Sequence, residues 1–457
     1  MRLQDRVRRQ APWLLVCAAL ALSVGPAYAR EGRVAPRADR ILGDLDVTFG
    51  SDGPTPAFVP GAPAPGTSEW LREFVRARMA QDSFYDHVLP KLFDVLGPKH
   101  HQALNGTRIL ERDARGIFRM RGHAACAPRD AVQVAPWWDR LHPLLVCKDS
   151  YRPEVQSVTT GGQTAYCEAT EDVPAACGCG AHLVNCALVM AQQERVLAAY
   201  NDEPIRTVQR IVQERRPFSE VLTRNDTVRN DYGELFYARS RLFQTGILAM
   251  PDVLSAEPKA RPRDADFGGG VLTTPAYLFY DDSKRLVIAS IWNDFLCLPL
   301  SSAAVHAEMM FQPSITTVRV RYTPSLQLAG MTGCRDCHAR LDNVMEALEP
   351  FTTHNFGIRV RPGHHYTGPI KLYVRDASDM RAEGPANMQW LGEQVAAQPE
   401  FSGCVVRKIE ELVWGGYPVE PLVHERLAAG FARGQDLALL LENAVVARHL
   451  GIEALSR

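Results

Sequence analysis

The segment "MTGCRDCHAR", residues 331–340, sets two cysteines three positions apart and follows the second directly with a histidine. Thiols at i and i+3 stand one helical turn apart, close enough to bond the two vinyl groups of one porphyrin, and the next residue brings an imidazole toward the same ring. The spacing C-x-x-C-H thus answers a single geometric demand, covalent attachment of a c-type haem. On that reading Cys334 and Cys337 are the thioether positions of one haem c and His338 is the proximal iron ligand. Leu341, Val344, Met345 and Leu348 follow at i, i+3, i+4 and i+7, which predicts a helix starting at the motif.

Other chemistries use the same residue types. A zinc site needs four ligands, and no second C-x-x-C or H-x-x-x-H of suitable spacing accompanies this one. A redox disulfide would not require the histidine and usually follows a strand in a βαβ pattern, which is absent here. The sixth iron ligand must approach from the face opposite His338, beyond easy reach of Met345 on the same helix. Candidates are Met380 and Met388 downstream, His354, His364 and His365 nearer, and Met331 and His306 upstream. Met388, opening an apolar helix with Trp390 and Leu391, is preferred, the competing role for any methionine being to fill gaps in the core.

Haem of this type is attached outside the cytoplasm, so the ends and cysteines of the chain matter. The first residues carry a basic start, an apolar run from Trp13 to Val24, a Gly25-Pro26 break and small residues at Ala27 and Ala29. This reads as a Sec-type signal peptide, 1–29, cleaved after Ala29, with a periplasmic or secreted product. No later segment is apolar enough to span a membrane. Beyond the motif and Cys17 in the signal, the cysteines are Cys126, Cys147, Cys167, Cys177, Cys179, Cys186, Cys297 and Cys404. In an oxidising compartment their expected fate is disulfide bonding.

With 457 residues, 46% hydrophobic and 23% charged, the chain is long enough for two or three domains, and its net charge of −1 gives no bulk reason to bind nucleic acid. Residues 30–69 are rich in Pro, Gly and Ala and read as a linker. A helical domain is expected over 70–265, with a loop-rich, disulfide-pinned segment at 126–186 and helices over about 183–216, broken near Asn201–Pro204, and 227–242. The stretch "PDVLSAEPKARPRDADFGGG" marks the main boundary. A cytochrome c-like domain then covers 266–457, with a helix at 284–296, an alternating run "TVRVRYT", a hairpin pairing "GIRVR" with "IKLYV", and closing helices at about 387–398, 402–414 and 434–449. The fold class is mainly α.

The order of "GGVLTTPAYL", "IWNDFLCLPL" and "CRDCHARLDNVMEALEPF", followed by "FSGCVVRKIEELVWGGYPV" and "DLALLLENAVVARHL", resembles the paired C-terminal modules of unknown function in exported planctomycete-type and myxobacterial cytochrome c-like proteins. The likeness covers roughly residues 215–457 and departs after A-L-E-x-F, where "TTHNFGIR" replaces the family's acidic residue and glycine. It implies haem and export but no particular reaction. It also implies that Cys297 and Cys404 are recurring positions of adjacent modules, with a bridge between them preferred.

The remaining candidates are weaker. "CGCGAHLVNC" offers Cys177, Cys179, His182 and Cys186 as metal ligands, but disulfides are the stronger reading. "DFGGGVLTTP" lacks the Lys-Ser/Thr of a phosphate loop, and Trp137-Trp138 is expected to pack the Cys-rich layer. The functional expectation is an exported mono-haem protein that exchanges single electrons with a periplasmic or envelope redox partner. The alternatives are a peroxidase- or oxygenase-like haem enzyme with an open sixth site, and an envelope scaffold in which the motif is structural.

Overall fold

Ile41, Leu45 and Phe49 recur at four-residue spacing and are all buried, so the chain is helical well before the first tryptophan of its helical region. The computed structural model describes residues 38–50, 63–97, 108–153, 157–160, 163–166, 175–279, 284–300, 332–354, 357–360 and 368–456. The signal segment 1–29 and the run "TVRVRYT" lie outside them.

In chain order the long helices are α1 (Ala38–Phe49), α2 (Ser68–Met79), α3 (Asp82–Leu92), α4 (Met190–Gln213), α5 (Asp231–Thr245), α6 (Lys284–Phe295), α7 (Thr332–Met345), α8 (Met388–Ala396), α9 (Pro399–Trp414), α10 (Pro421–Gly434) and α11 (Leu437–Leu450). The strands are β1 (Arg108–Arg112), β2 (Phe118–Met120), β3 (Ala131–Val134), β4 (Leu144–Cys147), β5 (Ser157–Thr160), β6 (Gln163–Tyr166), β7 (Cys186–Ala187), β8 (Asp226–Arg229), β9 (Lys259–Pro262), β10 (Phe351–His354), β11 (Gly357–Val360), β12 (Pro369–Tyr373) and β13 (Met380–Pro385). The fold is mainly α with small sheets, as expected.

Local chemistry sets several helix ends. The side chains of Thr67, Asn230, Asn387 and Asp436 accept from the backbone N–H groups of Trp70, Gly233, Trp390 and Leu439, capping α2, α5, α8 and α11. Gly246 ends α5 with φ +72°, a conformation that favours glycine.

Several expectations are corrected. The linker reading of 30–69 fails for α1, because the Pro-rich composition begins only after it. Helix α4 runs unbroken through Pro204: Tyr200, Val208 and Ile211 are buried on its inner side, and this packing outweighs the hydrogen bond that proline removes. The expected helix from 227 begins instead as strand β8, paired antiparallel with β9. Segment 126–186 is less loop-rich than expected, since β1, β2, β3, β4 and β7 form one sheet in the order β3-β4-β2-β1-β7. "GIRVR" pairs with Phe351–His354 and "IKLYV" with Met380–Pro385, so two local hairpins replace the single long-range one. Helix α10 was not anticipated.

Nor does packing break at 265/266. One apolar core runs from Ile41 to Ala447. Across the expected boundary Phe267 meets Tyr237 at 5.0 Å between ring centroids, and Phe295 stacks on Phe93 at 5.5 Å. In the same core region Glu442 of α11, fully buried, binds Arg76 of α2 at 2.9 Å and Arg215 at 2.5 Å. A second, smaller core of Leu110, Met120, Val134, Val146, Cys179, Leu183 and Cys186 lies under the five-stranded sheet. Trp138 packs against both cores, and buried Trp137 donates its indole N–H to the Cys186 carbonyl at 3.0 Å.

Candidate functional site

Helix α7 includes Cys334, Cys337 and His338, so its backbone sets the two cysteines one turn apart with the histidine next in line. The side chains of 332–338 lie outside the described ones. By helical spacing, 334 and 337 continue the stripe of Leu341, Val344 and Leu348, which are buried at 2%, 0% and 2% exposure.

Two elements hold this helix. Its neighbours are α6 and strand β12. In β12 and just after it, Ile370, Leu372 and Val374 are fully buried while Lys371 and Tyr373 alternate with them half-buried. Asn343 of α7 donates from Nδ2 to the Lys371 carbonyl at 2.7 Å. Trp292 of α6, fully buried, donates from Nε1 to the carbonyls of Tyr373 at 3.2 Å and Val374 at 3.1 Å. Beyond the end of α6, Cys297 is bonded to Cys404 of α9 across 107 residues, the bridge implied by the resemblance.

Among the sixth-ligand candidates, Met388 is 2% exposed at the start of α8. It presses on Gly269, where an added Cβ would come 2.7 Å from the Met388 carbonyl oxygen and 3.2 Å from its Cβ. Glycine is required there both by this contact and by a φ of +103°. Met388 is thus a core residue in this structure, and since the His338 ring is outside the described side chains, no described contact joins the two. Met380 is 51% exposed and Met345 half-buried against the core. His354 lies in β10 with its side chain outside the described ones, and Met331, His306, His364 and His365 are outside the described residues.

The other cysteines are consumed by bridges. Cys126 pairs with Cys147 and Cys179 with Cys186, and Cys177 is also disulfide-bonded, while Cys167 lies outside the described residues. The alternative metal set of Cys177, Cys179, His182 and Cys186 is thereby excluded, because its thiols are oxidised, and the His182 Nδ1 sits 3.1 Å from the Ala135 carbonyl. Among the described residues no group of three or more His, Cys, Asp or Glu could hold a metal ion. The glycines of "DFGGGVLTTP" serve close packing: a Cβ on Gly270 would lie 2.0 Å from the Val221 carbonyl oxygen.

Two polar clusters escaped the sequence reading. Glu203 of α4 is fully buried and accepts at Oε1 from Tyr237 at 2.6 Å and Thr227 at 2.5 Å. Burial pushes its carboxyl above the ordinary range, against the opposing pull of the Arg229 cation. A surface crevice of about 370 Å³ is lined by Glu214, Arg216, Glu220, Thr223, Arg224 and Asp226. Its arginines are already ion-paired, Arg224 to Asp226 at 2.6 Å and Arg216 to Glu220 at 2.5 Å, which leaves no uncompensated charge for a ligand. Neither cluster has a sequence signature, since residues such as Glu203 and Tyr237 meet only through the fold.

No helix among the described residues is long and apolar enough to cross a membrane, and the disulfides fit an oxidising compartment. The chain matches no family model, no curated protein and no solved structure.

Proposed function

We propose that the protein is an exported mono-haem c-type cytochrome-like protein that exchanges single electrons with a redox partner in the periplasm or envelope. The observation that carries this reading is the helical backbone through Cys334, Cys337 and His338, continued by a buried apolar stripe. A C-x-x-C-H sequence in a loop or strand would separate the thiols wrongly, whereas a helix gives the spacing that two thioethers to one ring require. The donor set fits the group: two thiols for covalent attachment and an imidazole, a common iron ligand. When bound, haem supplies a one-electron iron couple.

This chain's own residues have distinct parts in that reading. Cys334 and Cys337 hold the ring and His338 holds the iron. Leu341 and Val344 tie the helix to an apolar interior, which limits solvent and favours the less charged state of a bound centre. Met388 is the preferred sixth ligand, supported by its burial; a thioether there gives a higher potential than an imidazole. The bridges Cys126–Cys147, Cys179–Cys186 and Cys297–Cys404 support maturation in the periplasm or exterior after removal of residues 1–29.

The test is expression of the full chain in a host with a cytochrome c maturation system, followed by a pyridine haemochrome spectrum and the mass after denaturation. The expected result is one haem added in mass that survives denaturation, lost in the Cys334→Ala/Cys337→Ala variant. A wild-type chain of unmodified mass ends the reading. A low-spin spectrum that turns high-spin in Met388→Ala supports the electron carrier; a high-spin wild type that binds cyanide or peroxide replaces it with the open-site enzyme.

A further inference from the structure

Among the described residues β12 has one strand neighbour, β13, and its other edge carries carbonyls without a strand partner. Carbonyls two residues apart leave a strand on the same edge, and here those of Lys371 and Tyr373 receive side-chain donors instead. Asn343 occupies the first at 2.7 Å and Trp292 the second at 3.2 Å. The two donors come from the helix that bears the C-x-x-C-H motif and from its helical neighbour. The Trp292 helix is in turn fastened beyond its end by Cys297–Cys404. Arg340 of α7 adds an attraction to Asp376, in the turn after β12.

Apolar packing of Leu341 and Val344 fixes how deep α7 sits but is tolerant of small rotations about its axis. A short amide-to-carbonyl bond from the side of the helix is directional and is not. Asn343 lies five residues after His338, about half a turn round from the apolar stripe, so the helix is gripped on two sides. We infer that Asn343 is a positioning residue: with Trp292 seated on the same strand edge, it locks the rotation of α7 and thereby the angular placement of positions 334, 337 and 338. The redox consequence rests on the haem reading above; the lock itself does not.

The first test uses the wild-type full-length chain and amide hydrogen exchange. The lock predicts that α7 from Leu341 to Met345 opens together with β12; α7 amides exchanging tenfold or more faster than β12, with no shared opening, overturn it. The second compares Asn343→Leu, which removes the donor, with Asn343→Gln, which keeps an amide, and with Thr67→Ala, which weakens a distant helix cap. In the holoprotein Asn343→Leu is expected to shift the reduction equilibrium about tenfold, 59 mV for one electron, and to alter the low-spin resonance spectrum. Asn343→Gln recovers part of the shift and Thr67→Ala produces none. An unchanged potential and spectrum in folded, haem-bearing Asn343→Leu overturn the positioning role. If the wild type carries no covalent haem, the haem reading falls while the exchange measurement still decides the lock, as it does if Asn343→Leu fails to fold.

Discussion

The five-stranded layer and the helical core treat cysteine in opposite ways. In the layer, Cys179–Cys186 closes 7 residues and Cys126–Cys147 closes 21, both beside a core of only a few apolar side chains. In the helical part a single bridge, Cys297–Cys404, closes 107 residues around a core that is already extensive. The layer uses several short staples because its strands bury too little to hold themselves. The core uses one long staple at a chosen place, between the helix that supports the motif and the C-terminal helices. The difference teaches that the number of bridges tracks missing core, whereas loop length tracks what a bridge adds to global stability.

Removing the long bridge gives the largest effect. In the chain-entropy picture Cys297→Ala/Cys404→Ala lowers global stability by about 5 kcal/mol, seen as a lower denaturant midpoint with the β layer still protected in hydrogen exchange. Cys126→Ala/Cys147→Ala is expected to cost about 3 kcal/mol, and the loss should appear as faster exchange within residues 108–187. Uniform loosening of α4 and α11 in that variant would erase the distinction between the two regions.

A titration sharpens the comparison from the core side. His449 at the end of α11 is mostly buried, and burial, with Arg448 beside it and Asp44 opposing, pushes its imidazole down to about 4. The unfolded chain takes up this proton near pH 6.5 while the folded chain resists until about pH 4. Stability associated with neutral His449 is therefore full above pH 6.5 and falls as pH drops toward 4, by up to about 2–3 kcal/mol. His449→Gln should flatten this part of the stability-against-pH curve without touching the layer. Glu203 carries the opposite sign. With its carboxyl raised by burial, the unfolded chain loses the proton first, so stability falls as pH rises above the ordinary glutamate range, a dependence that Glu203→Gln removes.

The smallest expected change lies at the junction of the two regions. Trp137→Phe keeps an aromatic ring but deletes the indole donor and leaves the buried Cys186 carbonyl without it, at a cost of about 1–2 kcal/mol. Independent unfolding of layer and core, detected as two calorimetric transitions in place of one, is the expected signature.

Much of the helical framework was legible because apolar periodicity and caps are local. The stripe after His338, the helix at 284–296 and the closing helices all left such marks. Proline misled at residue 204, where buried neighbours on the same helix outweigh the lost hydrogen bond. Pro-rich composition hid α1, whose Ile41, Leu45 and Phe49 stripe was folded into a window dominated by later residues. "GIRVR" and "IKLYV" both alternate, but alternation names a strand without naming its partner.

By itself the sequence determined the C-x-x-C-H spacing, the helix that carries it, the mainly helical class and the surplus of cysteines beyond the motif, since each is written in residue type and local period. Tertiary structure alone decided that one core crosses residue 265, that a sheet organises the Cys-rich segment, that Glu203 meets Tyr237, and that Asn343 and Trp292 share one strand edge. Those are contacts between residues distant in the chain. Their energies depend on burial and direction, which no local pattern encodes.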